Sequence, residues 1–220
     1  AASLAAGGAA RWHVLGEAAL FAGILVFAWR VIPRGFDAKR DLPLVFVAGL
    51  FGWLAEFWGT RLGLWTYYTG EAPPLWIVPA WSVGALVIER LAARARASSL
   101  SWPLPASWLW PVMCAFVLIS TSWLSFTGPG AAWRWAGPAA VAAALFIRRR
   151  PEDAVILAVG AACVFFADLW GVTNNCWRYH LQGQAGGVWQ GIAFGMGFDS
   201  AVVLGALKAA DVWTATRPRR

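Results

Sequence analysis

Long apolar segments separated by short polar ones make up most of this chain. Charged residues are sparse within these segments and collect between them. A transmembrane α-helix needs about 20 consecutive, mainly apolar residues. Segments of this kind can be delimited at residues 13–32, 42–65, 75–92, 104–126, 131–147, 154–177 and 188–210. The pattern therefore predicts an all-α integral membrane protein, with its seven transmembrane helices packed in one bundle.

The two ends of the chain differ from this predicted bundle. Residues 1–12 are rich in alanine and glycine and lack a basic region ahead of a cleavable apolar core, so we expect a mobile leader and not a signal peptide. Residues 214–220 form a basic C-terminal tail. A single membrane domain is predicted over residues 13–213.

The composition agrees with a membrane protein. Hydrophobic residues make up 60% of the 220 residues and charged residues only 13%, with a mean hydropathy of +0.58. Soluble domains have about 25% charged residues. The three cysteines show no CxxC or Cys/His spacing, so they are expected to pack as small apolar side chains. We expect neither a metal site nor a cofactor.

Basic residues predict the orientation of the bundle. Most of the 18 lysines and arginines lie in or beside the first, third and fifth loops or at the C-terminal end. Cytoplasmic loops are enriched in these residues, which places the N-terminus outside and the C-terminus in the cytoplasm. The net charge of +7 is thus assigned to orientation and lipid contact, not to nucleic acid binding. The expected location is the inner (plasma) membrane of the cell, crossed several times.

One sequence motif occurs twice. Ala-Glu-x-Trp-Gly followed by Trp-x-Tyr, at residues 55–67, matches Ala-Asp-x-Trp-Gly followed by Trp-x-Tyr, at residues 167–179, with a constant offset of 112. After one inserted residue the match continues, and Trp81 and Gly84 correspond to Phe194 and Gly197. Self-similarity at a fixed offset is typical of an internal duplication.

The duplication predicts how the helices are arranged. Each motif copy lies in an outward-running helix followed by a returning one, so both copies have the same orientation. With one more helix each, they give two halves, about 13–92 and 131–210, joined by a linker helix at 104–126. Such a 3+1+3 parallel pseudo-repeat commonly has its binding site between the halves.

Each motif copy also carries an acid inside an apolar segment. Glu56 and Asp168 both lie nine residues before a tryptophan at the outer end of a predicted helix. At 1.5 Å per residue, both are roughly 13 Å inside that end. Asp199 reaches a similar depth on the last helix. Because carboxyl groups at this depth are costly and mark functional sites, we predict that all three are catalytic acids.

Tryptophan is unusually frequent, with 17 in the chain. Aromatic faces stabilise cations, and more strongly where water is excluded. A neutral buried acid can protonate a weak base such as an alkene, which produces a carbocation. Packing and interfacial belts are the alternative role for each tryptophan. We predict a substrate site lined by Trp53, Trp58, Trp81, Trp123, Trp170, Tyr67, Tyr179 and Asn174.

The first motif copy resembles a known family. The segments Glu56-x-x-Gly59-x-x-x-Gly63-x-Trp65-x-Tyr67 and Pro74-x-Trp76-Ile77-x-Pro79-x-Trp81 are similar to the acidic segment of small membrane carotenoid-biosynthesis proteins of the bisanhydrobacterioruberin hydratase type. The layout is also similar to that of the membrane-embedded terpene cyclases of meroterpenoid pathways. The resemblance implies protonation of an isoprenoid double bond or epoxide, followed by capture by water or another double bond. It also implies that Glu56 and Asp168 are the acid/base pair.

Three functions are compatible with these features. The first is a cyclase or hydratase for a lipophilic isoprenoid taken from the membrane lipid, and the lack of the acid clusters that bind Mg²⁺ for diphosphate ionisation agrees with it. The second is a chromophore-binding or assembly subunit of a membrane complex, in which tryptophans pack a polyene. The third is a small proton-coupled transporter, because buried acids in parallel repeats suit alternating access.

Overall fold

The computed structural model describes residue 30 and residues 35–98, 106–127, 132–181, 184–185 and 187–216. The chain divides into two compact units, residues 1–36 and 37–220, and the architecture below is that of the second unit. The predicted leader at residues 1–12 lies outside the described residues. So does the predicted first span at 13–32, apart from Arg30.

The described part of the chain is mostly helical. The helices match the predicted second to seventh spans, with ends that differ by a few residues. The predicted total of seven helices depends on the first span and stays a prediction. The described helices are α1 (Ala38–Arg61), α2 (Ile77–Ala97), α3 (Ala106–Thr127), α4 (Ala136–Phe146), α5 (Asp153–Thr173) and α6 (Val188–Ala215), with a 3₁₀ helix at Ala132–Trp135.

Three of these helices, α1, α5 and α6, are long and apolar enough to cross a membrane. On α1, an apolar residue recurs every four positions with 45–62% of its surface exposed. Residues spaced by four share one helix face, so α1 presents to its surroundings a stripe that suits lipid. These features indicate a membrane protein. The stripe consists of Leu42, Phe46, Leu50 and Leu54.

Helix α6 lies at the centre of the bundle. It packs against α1, α3, α4 and α5, while α2 packs against α1 and α5. Ala201, Leu204 and Ala206 on α6 are fully buried. Small side chains alternate with large ones along this helix, which lets several neighbours approach it closely.

A small antiparallel sheet is present, so the prediction of a purely helical fold was wrong in this region. Strand β1 (Trp65–Tyr67) pairs with β2 (Trp177–Leu181), which pairs with β3 (Gln184–Ala185). The Trp-x-Tyr segments of the two motif copies are therefore in strands and not in helix ends. Aromatic residues favour strands, but this pairing joins segments that are far apart in the sequence.

Helices α1 and α5 end before these strands in the same way. Gly63 and Asn175, just beyond the two helices, have φ angles of +67° and +56°. A residue in this left-handed region ends a helix in a Schellman motif, in which the next amide bonds back to a carbonyl. The closing bonds run from Leu64 N to Gly59 O at 2.9 Å and from Cys176 N to Gly171 O at 2.8 Å.

Candidate functional site

The three predicted acids line one cavity, which we call the acid cavity. It has a volume of about 240 Å³ and lies between α1, α2, α5 and α6, next to β1 and β2. Among the described residues, its lining includes no lysine, arginine or histidine. Glu56 comes from α1, Asp168 from α5 and Asp199 from α6. Most of the remaining wall is aliphatic or aromatic, and the aromatic side chains are Trp65, Tyr67, Trp81, Trp177, Tyr179 and Phe194.

Glu56 is held by three hydrogen-bond donors. Its Oε2 atom accepts from Trp65 Nε1 at 2.8 Å and from the Tyr67 hydroxyl at 2.7 Å, and its Oε1 atom accepts from Trp81 Nε1 at 3.1 Å. The residue is only 5% exposed. The two indole N–H groups can only donate, whereas the Tyr67 hydroxyl can also accept, so the arrangement fixes the orientation of the carboxyl group in either protonation state.

Asp168 also accepts hydrogen bonds from a tyrosine, but these are longer than those to Glu56. The Tyr179 hydroxyl lies 3.1 Å from its Oδ1 atom and 3.2 Å from its Oδ2 atom. Tyr67 and Tyr179 thus contact the acid that lies 11 residues before each of them. Each motif copy therefore supplies an acid together with the tyrosine that binds it.

Asp199 differs from the other two acids. Its side chain lines the acid cavity and is partly accessible. Among the described residues, no hydrogen bond or ion pair involves its carboxyl group. Of the three acids, Asp199 is therefore the one whose carboxyl can turn towards a ligand in the cavity without breaking a bond to the protein.

The two tyrosine hydroxyls lie in the strands, outside the membrane-spanning helices. Burial raises the pKa of Tyr67 well above its usual value, and negative charge at Glu56 raises it further. Burial and negative charge at Asp168 do the same to the pKa of Tyr179. Both hydroxyls therefore stay protonated at neutral pH and act as hydrogen-bond donors.

Glycines make room for the indole donors. A Cβ atom added to Gly59 would lie 1.8 Å from the Trp65 ring, and one added to Gly52 would lie 2.1 Å from the Trp81 ring. In the second motif copy, a Cβ on Gly171 would lie 2.0 Å from the ring of Trp177. The glycine three residues after each acid is thus required by the tryptophan that packs on it.

Two glycines of α6 serve the second acid in the same manner. A Cβ atom on Gly191 would lie 2.2 Å from the Tyr179 ring. One on Gly195 would lie 1.8 Å from Asp168 Oδ2 and 2.8 Å from the Tyr179 hydroxyl oxygen. The sequence suggested that this pair of glycines allows helices to pack closely, and the structure places both against side chains of the site.

Three of the predicted substrate-binding residues, Tyr67, Trp81 and Tyr179, line the acid cavity. Trp58 does not, although it lies only two residues from Glu56. Two residues along an α-helix correspond to a rotation of about 200°, so Trp58 points to the opposite side of α1. There its indole N–H donates to Trp133 O at 3.2 Å.

The other predicted substrate-binding residues are elsewhere. Trp170 is two residues from Asp168 and is not part of the lining, for the same rotational reason. Trp53 stacks on Phe57 at 5.4 Å. The Asn174 side chain donates to Trp170 O at 2.8 Å, which caps α5. The Trp123 side chain lies outside the described residues.

Trp65, Trp177 and Phe194 line the acid cavity but were not predicted as site residues. The Trp-x-Tyr spacing was the signal for the first two, because alternate residues of a strand point to the same side. Trp65 and Tyr67 therefore both reach Glu56. Phe194 could have been found from its position in the repeat, where it corresponds to Trp81.

A second pair of buried acids, Asp41 and Asp153, lies near the N-terminal ends of α1 and α5. Both are fully buried and are also 112 residues apart. Asp41 pairs with Arg90 at 2.5 Å and Asp153 with Lys208 at 2.7 Å. The two basic residues, taken from the sequence as determinants of orientation, therefore also neutralise buried carboxylates.

Comparisons with known proteins found no matching family model, no matching curated protein and no matching solved structure. The geometry of the acid cavity is therefore the basis for a functional proposal, and the family resemblance stays a prediction.

Proposed function

We propose that this chain is a membrane-embedded isoprenoid cyclase or hydratase that starts its reaction by protonating an alkene or epoxide. The observation that carries the proposal is the set of three carboxyl groups on one cavity with an aromatic wall. Proton-initiated chemistry needs an acid, a stabilised cation and protection from bulk water. The acid cavity has three carboxyl groups as possible acids, aromatic side chains that would stabilise a cation, and a mainly apolar lining that would limit access of water.

The three acids take different parts in this mechanism. Asp199, which has no fixed donor, transfers its proton to one carbon of the double bond, and the neighbouring carbon becomes cationic. A second double bond or a water molecule then attacks that carbon. Finally the proton released from the product returns to Asp199, either directly or by way of the Asp168 carboxylate, so the enzyme returns to its starting state.

Glu56 and the aromatic wall stabilise the cation. Three hydrogen bonds fix the orientation of Glu56 before the reaction begins, and in its ionised form its negative charge stabilises the cation. The faces of Trp65, Trp81 and Trp177 add cation–π attraction, which is worth about 2 kcal/mol or more for a desolvated cation. The substrate therefore needs no charged group of its own to stabilise the cation.

The finer architecture is part of the same proposal: two halves in a 3+1+3 parallel pseudo-repeat, with the N-terminus outside and the C-terminus in the cytoplasm of a plasma-membrane protein. The strand register supports a repeat. It pairs Thr66 with Arg178, which are equivalent motif positions. On either side of this pair, Trp65 pairs with Tyr179 and Tyr67 pairs with Trp177.

Product analysis tests the function. The wild-type chain, Glu56→Gln, Asp199→Asn and the control Glu71→Gln, at an exposed loop acid, would be produced in a host that makes isoprenoids. Lipid extracts would then be compared by mass spectrometry. We expect a new isoprenoid product from the wild type and the control, and none from the two cavity variants.

Three other results would contradict the proposal. Full product yield from Asp199→Asn would rule out that carboxyl as the proton donor. Substrate flux in vesicles that follows a pH gradient, without any chemical product, would instead favour the transporter. Visible absorbance of the purified protein would favour the chromophore-binding subunit.

A further inference from the structure

A second cavity lies on the other side of α1 from Glu56. It has a volume of about 400 Å³ and is bounded by α1, α4 and α6. The described part of its lining consists of alanine, glycine, valine, leucine, phenylalanine and tryptophan. The one polar side-chain contact made by Trp58 is already satisfied by Trp133 O. The described wall carries no charged side chain to bind a headgroup, and it suits a hydrocarbon chain.

Helices α1 and α6 form a common wall between this apolar cavity and the acid cavity. On each helix some neighbouring residues face different cavities, because each step along a helix rotates the side chain by about 100°. The residues that face the acid cavity are Glu56, Asp199 and Val203, and the residues just before them, Ala55, Phe198 and Val202, face the apolar cavity.

Stacked aromatic rings form the centre of this wall. Trp58 stacks on Phe198 at 5.2 Å, and Phe198 stacks on Phe194 at 5.1 Å. Trp58 and Phe198 line the apolar cavity, while Phe194 lines the acid cavity. The two cavities are therefore separated by the thickness of a few side chains.

The acid cavity is too small for a long isoprenoid. A protein cavity of about 150 Å³ holds one benzene molecule, so 240 Å³ corresponds by proportion to roughly ten carbon atoms. The apolar cavity would accommodate roughly 16 more by the same proportion. It also includes Leu54 of the exposed stripe on α1, so a chain can reach it from the lipid side.

We propose that the apolar cavity binds the hydrocarbon chain of the isoprenoid whose double bond is protonated in the acid cavity. The identity of this ligand rests on the proposed function. A ligand that fills both cavities passes the Trp58 and Phe198 rings, which therefore shift when it binds. The substrate is then an isoprenoid longer than about ten carbons.

The test compares two probes and two matched variants. The probes are linear isoprenoid alcohols of ten and twenty carbons, and the protein is the full chain in detergent. Ala140 on α4 lines the apolar cavity, whereas Ala143 on the same helix does not. Ala140→Leu therefore adds a larger side chain to the cavity wall, and Ala143→Leu is its control. Binding is measured from the rise in unfolding temperature with probe concentration, which needs no turnover.

We expect Ala140→Leu to weaken binding of the twenty-carbon probe by about tenfold and to leave the ten-carbon probe unchanged. Ala143→Leu should change neither. Equal weakening of both probes, or of neither, would overturn the inference. Loss of a copurified phospholipid from Ala140→Leu, with unchanged isoprenoid binding, would also overturn it by assigning the cavity to a lipid acyl chain.

These results are independent of the product analysis. If the length selectivity behaves as expected but Asp199→Asn still forms product, the proposed mechanism fails and the chain-binding site stands. If the acid variants lose product but Ala140→Leu does not alter length selectivity, the mechanism stands and the chain-binding site fails.

Discussion

The hydroxyl of Tyr67, in strand β1, donates a hydrogen bond of 2.7 Å to Oε2 of Glu56, in helix α1. This bond links the outer edge of the bundle to a carboxylate buried within it. Trp65, two residues earlier on the same strand, binds the same oxygen at 2.8 Å. The short strand thus fixes the position of Glu56. Loss of the bond from Tyr67 should therefore lower the free energy of unfolding.

We expect Tyr67→Phe to destabilise the protein by about 1–3 kcal/mol, because a buried carboxylate oxygen loses a donor. The free energy of unfolding in detergent would measure the effect. Tyr68→Phe is the matched control, since Tyr68 is 72% exposed and its loss should change stability little. Equal effects of both substitutions would show that the bond to Glu56 contributes nothing specific.

Gly195→Ala should also destabilise the protein. The added methyl group would lie 1.8 Å from Asp168 Oδ2, and overpacking of this kind costs about 1–3 kcal/mol. For comparison, Gly84→Ala adds a methyl group where no atom lies within 4 Å. Its unfolding temperature should equal or exceed that of the wild type. A Gly195→Ala protein as stable as the wild type would show that the contact between α6 and Asp168 is loose.

Lys208→Met should destabilise the far end of the bundle by about 3 kcal/mol, since it leaves Asp153 buried without its closest cation. The loss is at the low end of the usual range because Arg150 Nε lies 3.4 Å from Asp153 Oδ1. Lys208 also donates to Ala144 O at 2.8 Å and to Ile147 O at 3.0 Å.

A double-mutant cycle tests the Lys208–Asp153 pair. In the Lys208→Met and Asp153→Asn double variant, the buried charge is gone, so we expect part of the lost stability to return. Strictly additive losses in unfolding free energy would contradict a direct interaction between the two side chains.

Much of the architecture could be predicted from local patterns. The six described helices correspond to apolar segments because hydrophobic length is a property of contiguous sequence. Glu56 and Asp168 were expected at equal distances from the outer helix ends, and each lies five residues before the end of its helix, at Arg61 or Thr173. The expected distance of 13 Å was too long, because Trp65 and Trp177 lie in strands beyond those ends. The 112-residue offset indicated that whatever surrounds one acid should also surround the other.

The hydrogen-bond donors of each acid could not be predicted in the same way. Trp53 and Trp58 are close to Glu56 in sequence, yet helical rotation turns Trp58 away, and the indole that reaches Glu56 from another helix is that of Trp81. Sequence proximity therefore selected the wrong tryptophans, because contact depends on rotation about the helix axis and on the neighbouring helix.

By itself, the sequence determined that the chain is mostly helical and apolar, that two acids recur in equivalent settings, and that they lie well inside the apolar segments. Only the tertiary structure decided that these acids share one cavity with Asp199 and that Trp65 and Tyr67 belong to a strand. The physical reason is that strand pairing and a shared cavity arise between segments more than 100 residues apart, whereas hydrophobic periodicity reports only on neighbours along the chain.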